Sequence, residues 1–417
     1  MFFFAADAGL RPAFPSPAPA PDIADVETEE AAVCLPPGPD EPIELMVAQG
    51  DEVARGAPVA SLRHAPEIRL VAPVAGRVAR LSLRPGRRLS EIVLFRTPDG
   101  PIQRYDLPDA NDVEGLRGLM RSAGVWPLIR RRPFGGMPAA DEVPAAIIVM
   151  ATDTRMFAPD PRKALEGRDE DLARGLDALL RLTKGPVLLC HGPDAVRVEG
   201  RVRCVARGTR HPQGSAGLCI HRYVPAGLDS PVWDIHAEDV AALGVLLKTG
   251  VLPMDRLVSV AGAALREGRT LRTHPGADLR QLTRRIVRPG QHVTLSGSPL
   301  DGQAATWLGP RDRQITVLPR PAAAPHPHWL VAALKRSPGP KPAIPTAALT
   351  QAFGASLPAA PFIRALAAGD DEAAMKLGVL SLLEEDVALA DYVLGEEGRL
   401  TVTLRAMLDR IQSEFAT

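Results

Sequence analysis

Histidines, cysteines and glycine pairs are the residues of this chain with most scope for chemistry, so their spacing is weighed first. His211, His221 and His236 fall within one stretch and could gather round a ligand. Loop and strand-edge histidines with ordinary hydrogen bonds are the commoner outcome. His326 and His328 sit in a proline-rich loop and would offer a metal two nitrogens, short of a four-coordinate shell. Cys34, Cys190, Cys204 and Cys219 are far apart, and no CxxC pair exists. Local spacing therefore builds neither a zinc ribbon nor a ferredoxin-type cluster. Cys190 closes the apolar run from Pro186 and reads as a small core residue, in keeping with a reducing compartment.

The glycine signals are equally spare. Gly135-Gly136 is flanked by Pro133 and Pro138 and reads as a loop and not as a phosphate cradle. Neither GxGxxG nor GxxxxGK[ST] follows a strand-like run, and HExxH is missing. Gln213-Gly-Ser-Ala-Gly217 lacks the first glycine of a G-x-S-x-G elbow. The expectation is a chain with no catalytic residue and no metal ligand set, whose cofactor-binding residues, if any, cannot be named.

Charge narrows the partners. Lys plus Arg and Asp plus Glu both total 49, for a formal net charge of +0. Such a chain has no global field to steer it onto nucleic acid or anionic lipid. Arg130, Arg131 and Arg132 then read as a solvated local patch. Met1 to Ala6 is apolar but has no basic flank, so it fails as a signal peptide. No apolar run approaches the ~18–20 residues that span a bilayer. The expectation is a soluble protein that meets a membrane through a partner.

The elements that must position these residues suggest a multi-domain α/β chain. Residues 1–41, rich in Pro and Ala, read as a flexible arm or one laid along a neighbouring surface. Over 42–100, Val47, Val53 and Val59 recur six apart between turn glycines Gly50 and Gly56, and Leu70 to Val78 supplies a second half-motif. This stretch resembles the barrel-sandwich hybrid of biotinyl and lipoyl carrier domains. Its exposed hairpin, Arg63 to Glu67, has no lysine for a covalent cofactor, and the first lysine of the chain is Lys163. Over 101–263, strand Ala145–Ala151, helix Asp169–Thr183 and strand Pro186–Cys190 form a βαβ unit, followed by helix Ala237–Lys248 and strand Arg256–Ala261. Gly244 leaves room for close packing of that second helix. Residues 264–320 read as a β-grasp module with a helix over Asp278–Ile286, 321–358 as a Pro-rich linker, and 359–417 as helical.

Taken in order, several stretches resemble the A subunit of the sodium-translocating NADH:quinone reductases. They include Ala123 to Trp126, Arg130 with Arg132 to Phe134, Ala151 to Thr154, His211 to Gly214, Val232 to Ile235 and Glu238 to Val240. Gly276-Ala277, Leu295 to Ser298, Leu308-Gly309, Gln314 and Leu383 to Asp386 continue the series, and coverage runs from about residue 42 to 412. The resemblance implies a barrel-sandwich start, a Rossmann-like α/β middle, a β-grasp (SLBB-like) domain and a helical end. It also implies a peripheral subunit on the cytoplasmic face of the bacterial inner membrane, without flavin or iron–sulfur centre. A B-type membrane subunit is the implied partner and ubiquinone the implied contact, with no residue motif to place it. The related ferredoxin-dependent complexes add paired cysteine motifs, which are missing here. A diverged paralogue, serving as a ligand- or partner-binding scaffold in another membrane complex, is the alternative.

Overall fold

The computed structural model describes residues 8–38, 41–109, 112–193, 201–320, 346–395 and 398–415. Two N-terminal strands, β1 (Pro19–Asp25) and β2 (Glu30–Val33), precede six more: β3 (Ile43–Leu45), β4 (Glu52–Val53), β5 (Pro58–Leu62), β6 (Arg69–Val71), β7 (Gly76–Arg84) and β8 (Arg88–Arg96). They form a four-stranded sheet ordered β2-β8-β7-β4 and a three-stranded sheet ordered β3-β5-β6. Ile43, Val59, Leu62, Ile68, Ile92 and Leu94, drawn from both sheets, share one buried cluster. Gly50 and Gly56 adopt φ of 98° and 84°, the left-handed turns expected of them.

The α/β middle follows as α1 (Val113–Ser122), β9 (Arg130–Arg132), β10 (Ala146–Ala151), α2 (Pro161–Leu165), α3 (Asp169–Leu182), β11 (Val187–His191), β12 (Arg203–Ala206), α4 (Ala216–Tyr223), β13 (Val232–His236) and α5 (Ala237–Thr249). Its sheet runs β12-β11-β10-β13-β9. The first four strands are parallel and β9 is an antiparallel edge. Every residue of β10 and β11 is buried, as befits strands covered on both faces. Leu172, Leu176 and Leu179 of α3 and Val240 and Leu243 of α5 pack in the large cluster with Val149 and Leu189, while Cys219 and Ile220 of α4 meet Ile148 and Cys190 in another. The helices α3 and α5 cross closely because glycines meet at the contact. A Cβ on Gly175 would lie 2.0 Å from the Val240 carbonyl oxygen, and one on Gly244 1.8 Å from that of Asp171. Gly250 ends α5 in the left-handed region, its N–H bonded to Leu246 O.

A six-stranded sheet comes next. It contains β14 (Arg256–Ala261), β15 (Gly268–Thr273), β16 (His292–Ser296), β17 (Gln303–Ala304) and β18 (Gln314–Pro319), with α6 (Leu279–Thr283) over it. The expected helix from Asp278 is shorter than expected: Asp278 is its N-cap, accepting from Arg280 N–H, and the helix ends at Thr283. The sixth strand is β1, parallel to β15. The N-terminal arm is therefore no free tail over its described part. Leu10 bridges His211, β1 extends this sheet and β2 extends that of β8.

The chain ends in α7 (Ala347–Ala352), α8 (Ala359–Ala368), α9 (Asp371–Lys376), α10 (Glu384–Leu394) and α11 (Arg399–Phe415). The expected linker 321–358 needs correction at its end, because α7 is folded. Thr346 caps it by accepting from Leu349 N–H, and Leu349 and Phe353, one turn apart, are buried against Phe362. Residues 321–345, His326 and His328 among them, lie outside the described residues. No helix among those described is long and apolar enough to cross a membrane.

Candidate functional site

Strand order singles out one place in the α/β sheet. From β10 the chain passes through α2 and α3 to β11 and β12 on one side, then returns to β13 on the other. Ligands of open α/β sheets sit where the order reverses, beyond the carboxyl ends of the strands. Here that crevice lies after Ala151 of β10 and His236 of β13, and protein side chains fill it.

Arg155, just beyond β10, is held by Asp153 at 2.6 Å and by Asp301 of the six-stranded sheet unit at 3.3 Å. Arg313 reaches Glu238 at 2.9 Å and Asp239 at 2.8 Å in the first turn of α5, and Arg256 reaches Asp239 at 3.1 Å. Leu257 N–H donates to Glu238 Oε1 at 2.9 Å, and the Gln314 amide donates to Met156 O at 3.1 Å. Burial alone would raise the Asp239 carboxyl, but Arg313 and Arg256 outweigh it and hold the group below its ordinary range. Asp153 is likewise buried, and Arg155 brings it down.

The helix starts of the same region are acidic. The turn after β10 contains no glycine, Asp160 caps α2, and α3 begins Asp169-Glu170-Asp171. At α5 the His236 ring accepts from Glu238 N–H at 3.2 Å, ahead of two acidic residues. Asp160 and the His236 ring thus cap N–H groups of α2 and α5, and the acidic first turns of α3 and α5 already meet the positive dipole ends that would draw a pyrophosphate.

A second ionic cluster lies at the sheet's far edge. Arg130 and Arg132, two apart on β9, stand on one face beside Asp234 of β13. Arg130 donates to Asp234 at 2.7 Å and to Glu385 at 2.6 Å; Arg132 donates to Asp234 at 2.5 Å and to Glu385 at 3.2 Å. Asp386 accepts from Gly217 N–H at 3.1 Å, Leu383 N–H at 2.8 Å and the Ser215 hydroxyl, with Arg132 at 3.5 Å. Burial works to raise Glu385, yet Arg130 and Arg132 pull it down to about 2. Burial and the neighbouring Glu385 push Asp386 up to about 6. The arginine run expected as a solvated patch is thus an internal clasp, and Arg132 has 0 % of its surface exposed.

The other sequence candidates separate. His211 lies against Thr154 at 3.3 Å and burial pushes it down to about 4. His221 and His236 are also lowered by burial, each in its own surroundings, and no hydrogen bond joins any two of the three. No group of three or more potential metal ligands occurs among the described residues. Ser215 of the elbow-like stretch is the N-cap residue of α4, bonded to Asp386. Gly135 and Gly136 form a turn at φ of 83° and 77°, the latter's carbonyl accepting from Arg311 at 3.2 Å. The described cysteines are free, and burial pushes the Cys34 thiol up to about 12, far from a reactive thiolate.

A small cleft, with a cavity volume of about 80 Å³, lies where the N-terminal sheets, α5 and the six-stranded sheet meet. Val71, Leu128, Leu252, Met254 and Leu308 line it, with Cys34 and Arg69 at its wall.

Comparison with known proteins reads these units as a family. Residues 111–252 match the family described as the NqrA second alpha/beta domain, and residues 257–306 that described as the NQRA C-terminal domain. The A subunit of the Na(+)-translocating NADH-quinone reductase of Teredinibacter turnerae is 30% identical over 403 residues, covering 89% of this chain and 90% of its own. The corresponding A subunits of Saccharophagus degradans and Actinobacillus pleuropneumoniae serotype 5b are each 30% identical with the same coverage. Among solved structures, an NAD+-reducing [NiFe]-hydrogenase in the air-oxidized state aligns with a TM-score of 0.38 at 14% identity, over 72% of this chain and 64% of that one. That likeness is too loose to bear on the fold. Asp234, Glu238, Gln314, Glu385 and Asp386, which lie in the stretches resembling the A subunits, all belong to the two clusters just described. The chain belongs to the family of the A subunits of the Na(+)-translocating NADH-quinone reductases.

Proposed function

We propose that this chain is the peripheral, cofactor-free subunit of a sodium-translocating NADH:quinone reductase, seated on the cytoplasmic face of the membrane against a B-type membrane subunit. Its units are assigned as a barrel-sandwich hybrid, a Rossmann-like α/β domain, an SLBB-type β-grasp and a helical end. The observation that carries the reading is 30% identity spread over 89% of the chain and 90% of its relative. The filled crevice supports the cofactor-free part. A dinucleotide there would have to displace Arg155, Arg256 and Arg313 from buried carboxylates. Breaking one such pair costs about 3–5 kcal/mol, roughly half the free energy of micromolar binding. Ubiquinone is the small molecule we assign to the complex, and the apolar walls of the cleft at the three-unit junction support a contact with it there.

Gentle purification of the native assembly through a tag on this chain tests the reading. The expected companions are integral membrane subunits and flavoproteins that leave only under harsh treatment. Recovery of the chain alone, or with a complex lacking NADH:quinone reductase activity, would refute it.

A further inference from the structure

The edge of the six-stranded sheet unit around α6 carries charge that the chain itself does not answer. Arg280 lies on α6, Arg284 and Arg285 follow it, and Arg288 sits in the next loop. The segment with Arg266 is tied to that loop in both directions. Arg266 N–H donates to Ile286 O and Arg288 N–H to Ala264 O, each at 2.8 Å. Arg320 joins at the end of β18, its N–H on Gln291 O at 3.0 Å. All six residues are exposed, and none has an ion-pair partner among the described residues.

Arg96, Arg155, Arg256, Arg313 and Arg405, by contrast, each hold a carboxylate. The acids near α6 are engaged or turned to other work. Asp278 caps the helix and Glu267 pairs with Arg269, while Glu29, whose backbone N–H donates to Gln281, makes no ion pair with the six arginines. Nor does the sequence that follows Arg320 help, since residues 321–345 contain no Asp or Glu. A chain of formal charge +0 thus concentrates unpaired cations along one edge.

We propose that this arginine edge docks on the anionic headgroup surface of a lipid bilayer. The inference rests on the membrane-complex reading above and adds a contact to it. The sequence alone routes membrane association through a partner protein; the edge supplies a second, direct one. Its sign selects the occupant. Cytoplasmic loops of membrane proteins are enriched in Lys and Arg and would repel it, whereas an anionic leaflet attracts it. Among the described residues, none of the exposed large apolar side chains lies between 264 and 320. The edge therefore rests on headgroups without inserting into the hydrocarbon.

The test uses the full-length chain, sedimented with phosphatidylcholine vesicles made with and without phosphatidylglycerol, at low and at physiological salt. The expected result is binding to the anionic vesicles alone, weakened by salt. A cation near such a surface contributes about fivefold in affinity, so Arg284→Gln/Arg285→Gln/Arg288→Gln should bind about a hundredfold more weakly. Arg266→Gln/Arg280→Gln gives a second, independent loss, with far-ultraviolet circular dichroism reporting the fold of both variants. Arg84→Gln/Arg87→Gln/Arg88→Gln, on the exposed β7–β8 turn, should bind as the wild type does. Equal binding to neutral vesicles, no binding to anionic ones, or full affinity in the α6-edge variants would overturn the proposal. So would capture of a polyglutamate peptide in preference to vesicles, which would assign the edge to an acidic protein. None of these outcomes depends on which subunits copurify, so the two readings fail separately.

Discussion

Arg132 faces Asp234, Glu385 and Asp386 with none of its own surface in water. Removing it would leave Asp234 and Glu385 with Arg130 as the cation still hydrogen-bonded to them, at a buried site. Arg132→Ala should therefore lower stability by about 3–5 kcal/mol, read from urea unfolding with an unchanged slope. A loss below about 1 kcal/mol would show the cluster to be better solvated than its burial indicates. Glu385 adds a pH signature. Its folded value, about 2, lies below the ordinary carboxylate range, so its contribution is complete above about pH 4.5 and is lost as the pH falls toward 2. The gap in stability between wild type and Glu385→Gln, about 2 kcal/mol at neutral pH after allowing for partial exposure, should close across that window. A gap that persists at pH 2 would mean the pair is not what stabilises. This cluster was poorly legible in the sequence. Three successive arginines resemble a solvated run, and the partners of Arg130 and Arg132 lie more than a hundred residues away. The usable signal was the alternation of Arg130 and Arg132 on one face of a short strand, with Asp234 embedded in an apolar one.

Elements were easier to read where burial imposes a period. The run of β10, the leucine stripe of α3, and the apolar face and terminal glycine of α5 all appear where spacing places them. The α3–α5 crossing turns on Gly244, and Gly244→Ala should cost about 1–3 kcal/mol because the methyl group meets the Asp171 carbonyl with no room to relax. Thermal unfolding would measure it, and an unchanged or raised midpoint would mean the helices shift apart freely. Two elements escaped the sequence for physical reasons. Strand β1 is exposed along almost its whole length and carries Pro19 and Pro21, so neither alternation nor propensity marks it. Proline is tolerated there because an edge strand has one side with no ladder to join. Helix α7 is only 6 residues long and follows a proline-rich run, so its apolar pair was too short a pattern to register.

At the scale of the molecule, the units are joined through buried charge as much as through apolar contact. Arg256, Asp301 and Arg313 fasten the six-stranded sheet into the α/β crevice, and Glu385 and Asp386 fasten the helices to its edge. The isolated chain is accordingly expected to be colourless and to leave NADH unoxidised with an artificial acceptor, followed by nucleotide absorbance. A stoichiometric flavin spectrum after gentle purification would contradict the role proposed for that crevice. The missing glycine motifs left no phosphate cradle to expect at that crevice from the sequence alone. What fills it was not visible there, because the plug comes from another unit of the chain.

Strand β1 also sets a timetable. Its partner β15 begins at Gly268, some 250 residues later in the chain by the register of the pair. At about 5–20 residues per second, a ribosome needs on the order of tens of seconds to make that stretch. Until then the segment has no strand to lie against, so the newborn N-terminus waits, open to proteases and chaperones, for the sheet that will hold it.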